Sequence, residues 1–454
     1  MGRSTKPRFS FVNLKHPDDL KDGETQLRIR RLAMAQVGKA RRRPNTKRAR
    51  NEIVLEFRAP PHNRVDFDRF GGGLLDPFCP YPVELDHSGR ALLANIFTTE
   101  NDSHPSQLRG SWYPVGLSDA GAFHNMLANS HNFLFQKRNG YFPLQDDALA
   151  LKHHHKALRY TSELLKDPAQ HLSDRALGAV VSFMIHHTFL ANFSSGDWEK
   201  HRDALIKIVA LRGGIDTITK AHLRITVNWA DLIGSFFQDH APLLPMPAPW
   251  LADSKSPPHS PRPFRPISLA WKRHLPMHTD WISIFDDIVH LISLDGAFNA
   301  EQKILAVTSG SWLEPTLYRL LVIRPLQHGT TPAHMMEEIA RLGTLIFLAP
   351  FWKLSGQSPV CTVALSSTLL RVVLANNIVV EWEEELKPLL IWVLYCAAVE
   401  TRDLAERREF VCILASLMRD LRLCAWNDLM LVVKSVVWVE KVFGGTDILM
   451  RDEP

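Results

Sequence analysis

The chain has 454 residues, 45% of them hydrophobic, which supports a large packed core and excludes a disordered chain or a disulfide-stapled miniprotein. Its net charge of +5 is unevenly placed: residues 1–58 carry 16 Lys or Arg against 6 Asp or Glu, a net of +10, while the remainder carries 37 against 42, a net of −5. Five scattered cysteines without C-x-x-C spacing read as reduced intracellular thiols, and Cys79, alone in the N-terminal half, excludes a cysteine-based zinc module there.

The opening "MGRSTKPRFSFVNL" lacks an apolar core of signal-peptide length, so no secretion is expected, and "FSFVN" reads as a short β-like stretch. From Thr25, "TQLRIRRLAMAQVGKARRR" is rich in helix formers, with Leu27, Arg31, Met34 and Ala35 at helical spacing beside a basic face. The segment "KARRRPNTKRAR" then sets Lys39, Arg41, Arg42, Arg43, Lys47, Arg48 and Arg50 in two clusters with no acid between them. Such a block reads as a nuclear import signal for an acidic receptor groove, and it attracts polyanions such as DNA by counterion release. No Trp or Phe interleaves it, which argues against an amphipathic helix lying on lipid. Past Pro44 the composition predicts disorder up to "GGG" at residues 71–73, so residues 1–73 form a basic arm, largely disordered around one short helix.

Helical patterns then run almost unbroken: "RALLANIFTT", "SDAGAFHNMLANSHNFLFQ", "LALKHHHKALRYTSELL", "SDRALGAVVSFMIHHTFLANF" and "DWEKHRDALIKIVALRGG". Ser118 and Ser173 stand where N-caps belong, and Gly213 with Gly214 can stop the helix before them. Nine prolines between His240 and Pro266 mark a loop or linker, after which helical patterns resume near Ser268 and continue to about Phe443. The longest apolar runs, 388–399 and 429–439, fall short of the roughly 20 residues that cross a bilayer, so no membrane partner is expected. No alternating strand pattern or repeat period appears. The expectation is an all-α fold, an irregular multi-helix bundle over residues 74–443 with a Pro-rich insertion at 240–266 and a short tail at 444–454.

Motifs for chemistry are scarce. "KHHHKAL" (His153, His154, His155) and "MIHHTF" (His186, His187) look like metal sites, but consecutive helical residues point about 100° apart and no H-E-x-x-H is present, so core histidines are expected and no metal. "FDDIVH" (285–290) resembles the aspartate-rich motif of terpene cyclases, yet His290 stands where a later acid belongs, and "NWADLIGSFFQD" supplies no companion motif. The acids of "QDDALAL" (145–151) are read as helix caps or solvent-facing groups. No phosphate loop, nucleophile elbow or activated cysteine occurs, so neither catalytic residues nor a cofactor are expected.

"DWEKHRDALIKIVALRGG" resembles the Trp, His, Arg-Gly-Gly signature of the fungal-specific transcription factor domain family, through Trp198, His201, Leu205, Arg212, Gly213 and Gly214. "LKPLLIWVLYCAAVETRDLAERREFVCILASL" resembles that family's late helix pair, "WNDLMLVVKSVVWVEKVF" its closing helix, and the opening segment its leader. The resemblance implies a helical regulatory and dimerisation body without catalysis. Trp198, His201, Arg212, Gly213 and Gly214 are read within it as fold determinants. Many members also carry an N-terminal binuclear zinc cluster of six cysteines that docks in the DNA major groove, which this chain lacks. The expected protein is therefore a nuclear transcription regulator or co-regulator, contacting DNA through its arm and an import receptor, transcription proteins or a second subunit. Two alternatives stay open: an interaction scaffold recruited by a DNA-binding partner, and an all-α enzyme or small-ligand binder.

Overall fold

The computed structural model describes residues 81–97, 112–190, 193, 195–247, 313–354, 359–375 and 382–446, with single positions at Gly23, Ala270, Arg273, His274 and Ile288. The basic segment 39–50, the "FSFVN" stretch, the predicted helix from Thr25, Asp286 and Asp287, and the insertion from residue 248 onward lie outside the described residues. Among the described residues the regular elements are all helices, α or 3-10.

The first half comprises α1 (His87–Phe97), α2 (Trp112–Ser118), α3 (Ala120–Asn139), α4 (Ala148–Lys166), α5 (Asp174–Leu190), α6 (Asp197–Arg212) and α7 (Ala221–Gln238). The second half comprises α8 (Glu314–Val322), α9 (Pro325–His328), α10 (Pro332–Leu354), α11 (Val363–Ala375), α12 (Lys387–Glu400), α13 (Leu404–Asp420), α14 (Trp426–Val436) and α15 (Glu440–Phe443). In the first half α3 packs on α1, α2, α4 and α5, and α5 continues onto α6 and α7. In the second, α10 and α12 form the centre, with α11, α13 and α14 against them. Contacts of α7 with α8 and α11 join the halves. One continuous apolar core accordingly runs from Leu92 to Phe443.

Two sequences explain why these helices sit where they do. Helix α12, "KPLLIWVLYCAAVE", is apolar all round and buries every residue from Leu389 to Ala398, as a helix surrounded by others must. Trp392 inside it gives its indole N–H to the Val437 carbonyl at 2.8 Å, which ties α12 to the end of α14. Helix α3 differs: it buries His124, Asn125, Asn129, Ser130 and Asn132 along with Phe123, Leu127 and Phe133. A buried polar group must find a partner, so α3 imports a hydrogen-bonded seam into the first half.

The helix ends correct one expectation. Ser173 caps α5, its hydroxyl accepting from the Ala176 N–H at 3.2 Å. Ser118 does not cap α3; it ends α2, and its hydroxyl returns to the Val115 carbonyl at 2.7 Å. The cap is Asp119, whose extended backbone lets its carboxylate accept from the Gly121 N–H at 2.7 Å. Two adjacent capping residues look alike in sequence, and the tight α2–α3 turn selects the second.

Candidate functional site

The Trp-His-Arg-Gly-Gly segment and the histidine runs meet in one region, formed by α3, α4, α5 and α6. Trp198 is wholly buried at the start of α6, its ring against α7 at Gly234, where a Cβ would come within 2.0 Å of the indole. The Arg202 guanidinium covers the same ring at 5.2 Å. At the far end, Gly213 takes φ of 98° and closes α6 with its N–H on the Ala210 carbonyl. Arg212 turns back and binds the Leu172 carbonyl at 2.8 Å, the Asp174 carboxylate at 2.8 Å and the Thr217 carbonyl at 3.2 Å. Burial pushes Asp174 up, but hydrogen bonds from Arg212 and Lys220 outweigh it and hold the carboxyl below its ordinary value. These contacts are structural: they fasten the start of α5 to the end of α6.

His201 leads from this motif to the histidines. Its ring stacks on Phe183 at 4.8 Å and on His187 at 5.3 Å. His154 of α4 stacks in turn on His186 of α5, ring centroids 4.3 Å apart. Burial is the leading cause that drives His187 and His201 down to about 4 and His154 to about 3, so these rings are neutral at pH 7. A second pair joins α3 and α4, with His124 Nδ1 3.0 Å from His153 Nδ1. His153, His154 and His186 are buried and His155 faces solvent, so one residue of the triple run points outward.

Asparagines of α3 hold the buried rings. Asn125 Oδ1 meets His154 Nδ1 at 3.2 Å, and Asn129 Oδ1 meets His186 Nδ1 at 2.8 Å. The hydroxyl of Ser182 donates to the Ala179 carbonyl at 2.6 Å, so its oxygen must accept from Asn125 Nδ2 at 2.8 Å. That fixes the Asn125 amide with its oxygen toward His154, whose Nδ1 therefore carries the proton and whose Nε2 keeps a lone pair.

Asp146, in the turn before α4, completes the cluster. Its Oδ2 lies 2.8 Å from His186 Nε2, with side chains 6% and 0% exposed, and its Oδ1 accepts from Asn132 at 3.1 Å. Burial pushes Asp146 up, and the hydrogen bonds and charge around it bring the carboxyl below its ordinary value. The expectation that both acids of this turn cap a helix or face solvent holds only for Asp147, which accepts from the Leu149 and Ala150 N–H groups. Asp146 points inward because α3 offers Asn132 and α5 offers His186. One ligand atom from each of Asp146, His154 and His186 lies within 4.8 Å of the others. The 100° rule for neighbouring histidines is obeyed, and convergence arises between helices instead.

A family profile described as the fungal specific transcription factor domain matches residues 92–433. No curated protein and no solved structure matches the chain. Among the described residues no helix is long and apolar enough to cross a membrane. The matched span contains the whole site above, including Trp198, His201, Arg212, Gly213 and Gly214.

Proposed function

Since this chain belongs to the family of the fungal-specific transcription factor domain, we propose that it acts in the nucleus as a transcription regulator or co-regulator, with the helical body as its regulatory part and the basic arm as its contact with polyanions. The family is one of transcription regulators rather than of enzymes, and the helical body is in keeping with that. The observation that carries the finer reading is the segregation of charge, +10 on residues 1–58 and −5 on the rest. Lys39, Arg41, Arg42, Arg43, Lys47, Arg48 and Arg50 grip phosphate or an import receptor, and they need no cysteine cluster to do so. Contacts to phosphate carry no base information, so sequence choice falls to a partner or a second subunit.

The test is DNA binding by the full chain across a salt series. Seven phosphate contacts predict a log-log slope of about −6, with little discrimination between duplex sequences. Replacing Lys39, Arg41, Arg42, Arg43, Lys47, Arg48 and Arg50 with Gln removes the slope they supply and, in cells, nuclear accumulation. An intact chain that stays off DNA at low salt reduces the arm to an import signal and makes the body a scaffold recruited by a DNA-binding partner.

A further inference from the structure

We propose that Asp146, His154 and His186 form a binding site for one divalent transition cation of zinc's class, buried between α3, α4 and α5. The donor set is two imidazoles and one carboxylate, the combination that zinc and its neighbours take from proteins, and the three groups are already gathered within 4.8 Å.

The surroundings are built as an outer shell. Ligating histidines give their other N–H to an oxygen acceptor, which fixes the tautomer and aims the ring. Here Asn125 and Asn129, one turn apart on α3, take the Nδ1 sides of His154 and His186, and Asn132 holds the free oxygen of Asp146. All three orienting groups come from one helix, and all three ligands come from elsewhere. His186 Nε2 faces the Asp146 oxygen at 2.8 Å, so a cation that replaced the proton of that hydrogen bond would find both groups aimed at it. His154, stacked on His186, brings a third ligand atom to the same place. Around tetrahedral zinc the ligand atoms stand roughly 3.3 Å apart, so His186 and Asp146 separate by about half an ångström on loading. A fourth position remains for water or a bound group. The site is unrelated to a cysteine cluster, and it stands whether or not the arm binds DNA.

The experiment uses the untagged full chain, stripped with chelator, and Zn²⁺ or Co²⁺ alone as the probe. One equivalent of Co²⁺ should give the visible absorption of a low-symmetry site, which Zn²⁺ bleaches, and Zn²⁺ should raise Tm. His154→Gln and His186→Gln should each weaken Zn²⁺ at least tenfold in chelator competition, while His155→Ala, on the solvent face of α4, changes nothing. Asn129→Ala touches no metal, and a loss of 10- to 100-fold is expected from it. It is the variant to use if His186→Gln does not fold. Lack of stoichiometric Zn²⁺ binding by the wild type, or wild-type affinity in the folded variants, overturns the site and leaves only the hydrogen bond between His186 and Asp146.

Discussion

At the scale of single residues, the body carries charges where burial alone would forbid them, and each has a specific reason. Asp231 on α7 is buried, and its Oδ2 accepts from the N–H groups of Leu243 and Leu244, both at 2.8 Å, so it anchors the start of the Pro-rich insertion. Among the described residues its other oxygen has no hydrogen-bond partner. Burial is the dominant influence and raises the carboxyl from its ordinary 3.8 to about 6, against those two hydrogen bonds. A carboxyl raised on folding stabilises the fold fully below its unfolded value and loses that contribution as pH rises through the folded one. The window therefore runs from about pH 4 to just above 6. Asp231→Asn keeps an acceptor for both N–H groups and removes the titration. The stability difference between wild type and this variant should fall by about 2 kcal/mol between pH 4 and pH 7. Denaturant midpoints across that range measure it, and a difference that stays flat would mean the carboxyl is better solvated than its packing shows.

At the scale of elements, the sequence made some helices plain and hid others. The α6 helix and its Arg-Gly-Gly stop follow from local helix-end chemistry, which neighbouring residues encode, while the α12 and α13 pair was legible through the family resemblance of its sequence. The histidine cluster was not legible in the same way. His154 and His186 meet only because α4 and α5 pack in a particular register, which depends on every side chain between them. A hint did exist in α3, whose Asn125, Asn129 and Asn132 recur at helical spacing among the apolar Phe123, Met126, Leu127 and Phe133. Arg212 shows an element-level dependence that can be measured. It joins the loop before α5, the first turn of α5 and the 3-10 turn at Ile215–Thr217, while its side chain is 14% exposed. Hydrogen bonds involving a charged group are worth about 1.5–3 kcal/mol each, and removing the guanidinium strands several acceptors at once. Arg212→Met should cost about 3 kcal/mol in chemical denaturation. Arg212→Lys should recover less than half of it, because an ammonium cannot reach three separated acceptors in one plane.

At the scale of the whole molecule, the question is whether the two halves stand or fall together. The core is continuous, and Trp352 of α10 is its most evident bridge between them. That indole is 1% exposed, meets Phe236 of α7 edge-on at 5.3 Å, and gives its N–H to Glu314 at the start of α8 at 3.2 Å. Arg341 of α10 makes a second crossing: it pairs with Asp239 at the end of α7, at 2.7 Å, and with Glu338 on its own helix. Burial opposes the charge on Arg341, but these two carboxylates outweigh it and raise its pKa, so the guanidinium stays charged in the core. A bridge of this kind couples the halves only if its loss is felt on both sides. Trp352→Ala removes a full aromatic ring from a filled core, a change that costs about 3–5 kcal/mol. In hydrogen exchange, peptides from α5 and α6 should lose protection by the same free energy as peptides from α12, although neither group includes the substituted residue. Equal losses mean a single cooperative unit, so that an event at the histidine cluster in the first half can be read at the α12 to α14 surface in the second. If α12 loses protection and α5 with α6 keep theirs, the halves unfold separately, and any signal between them must travel by rearrangement of the α7 contacts instead of shared stability.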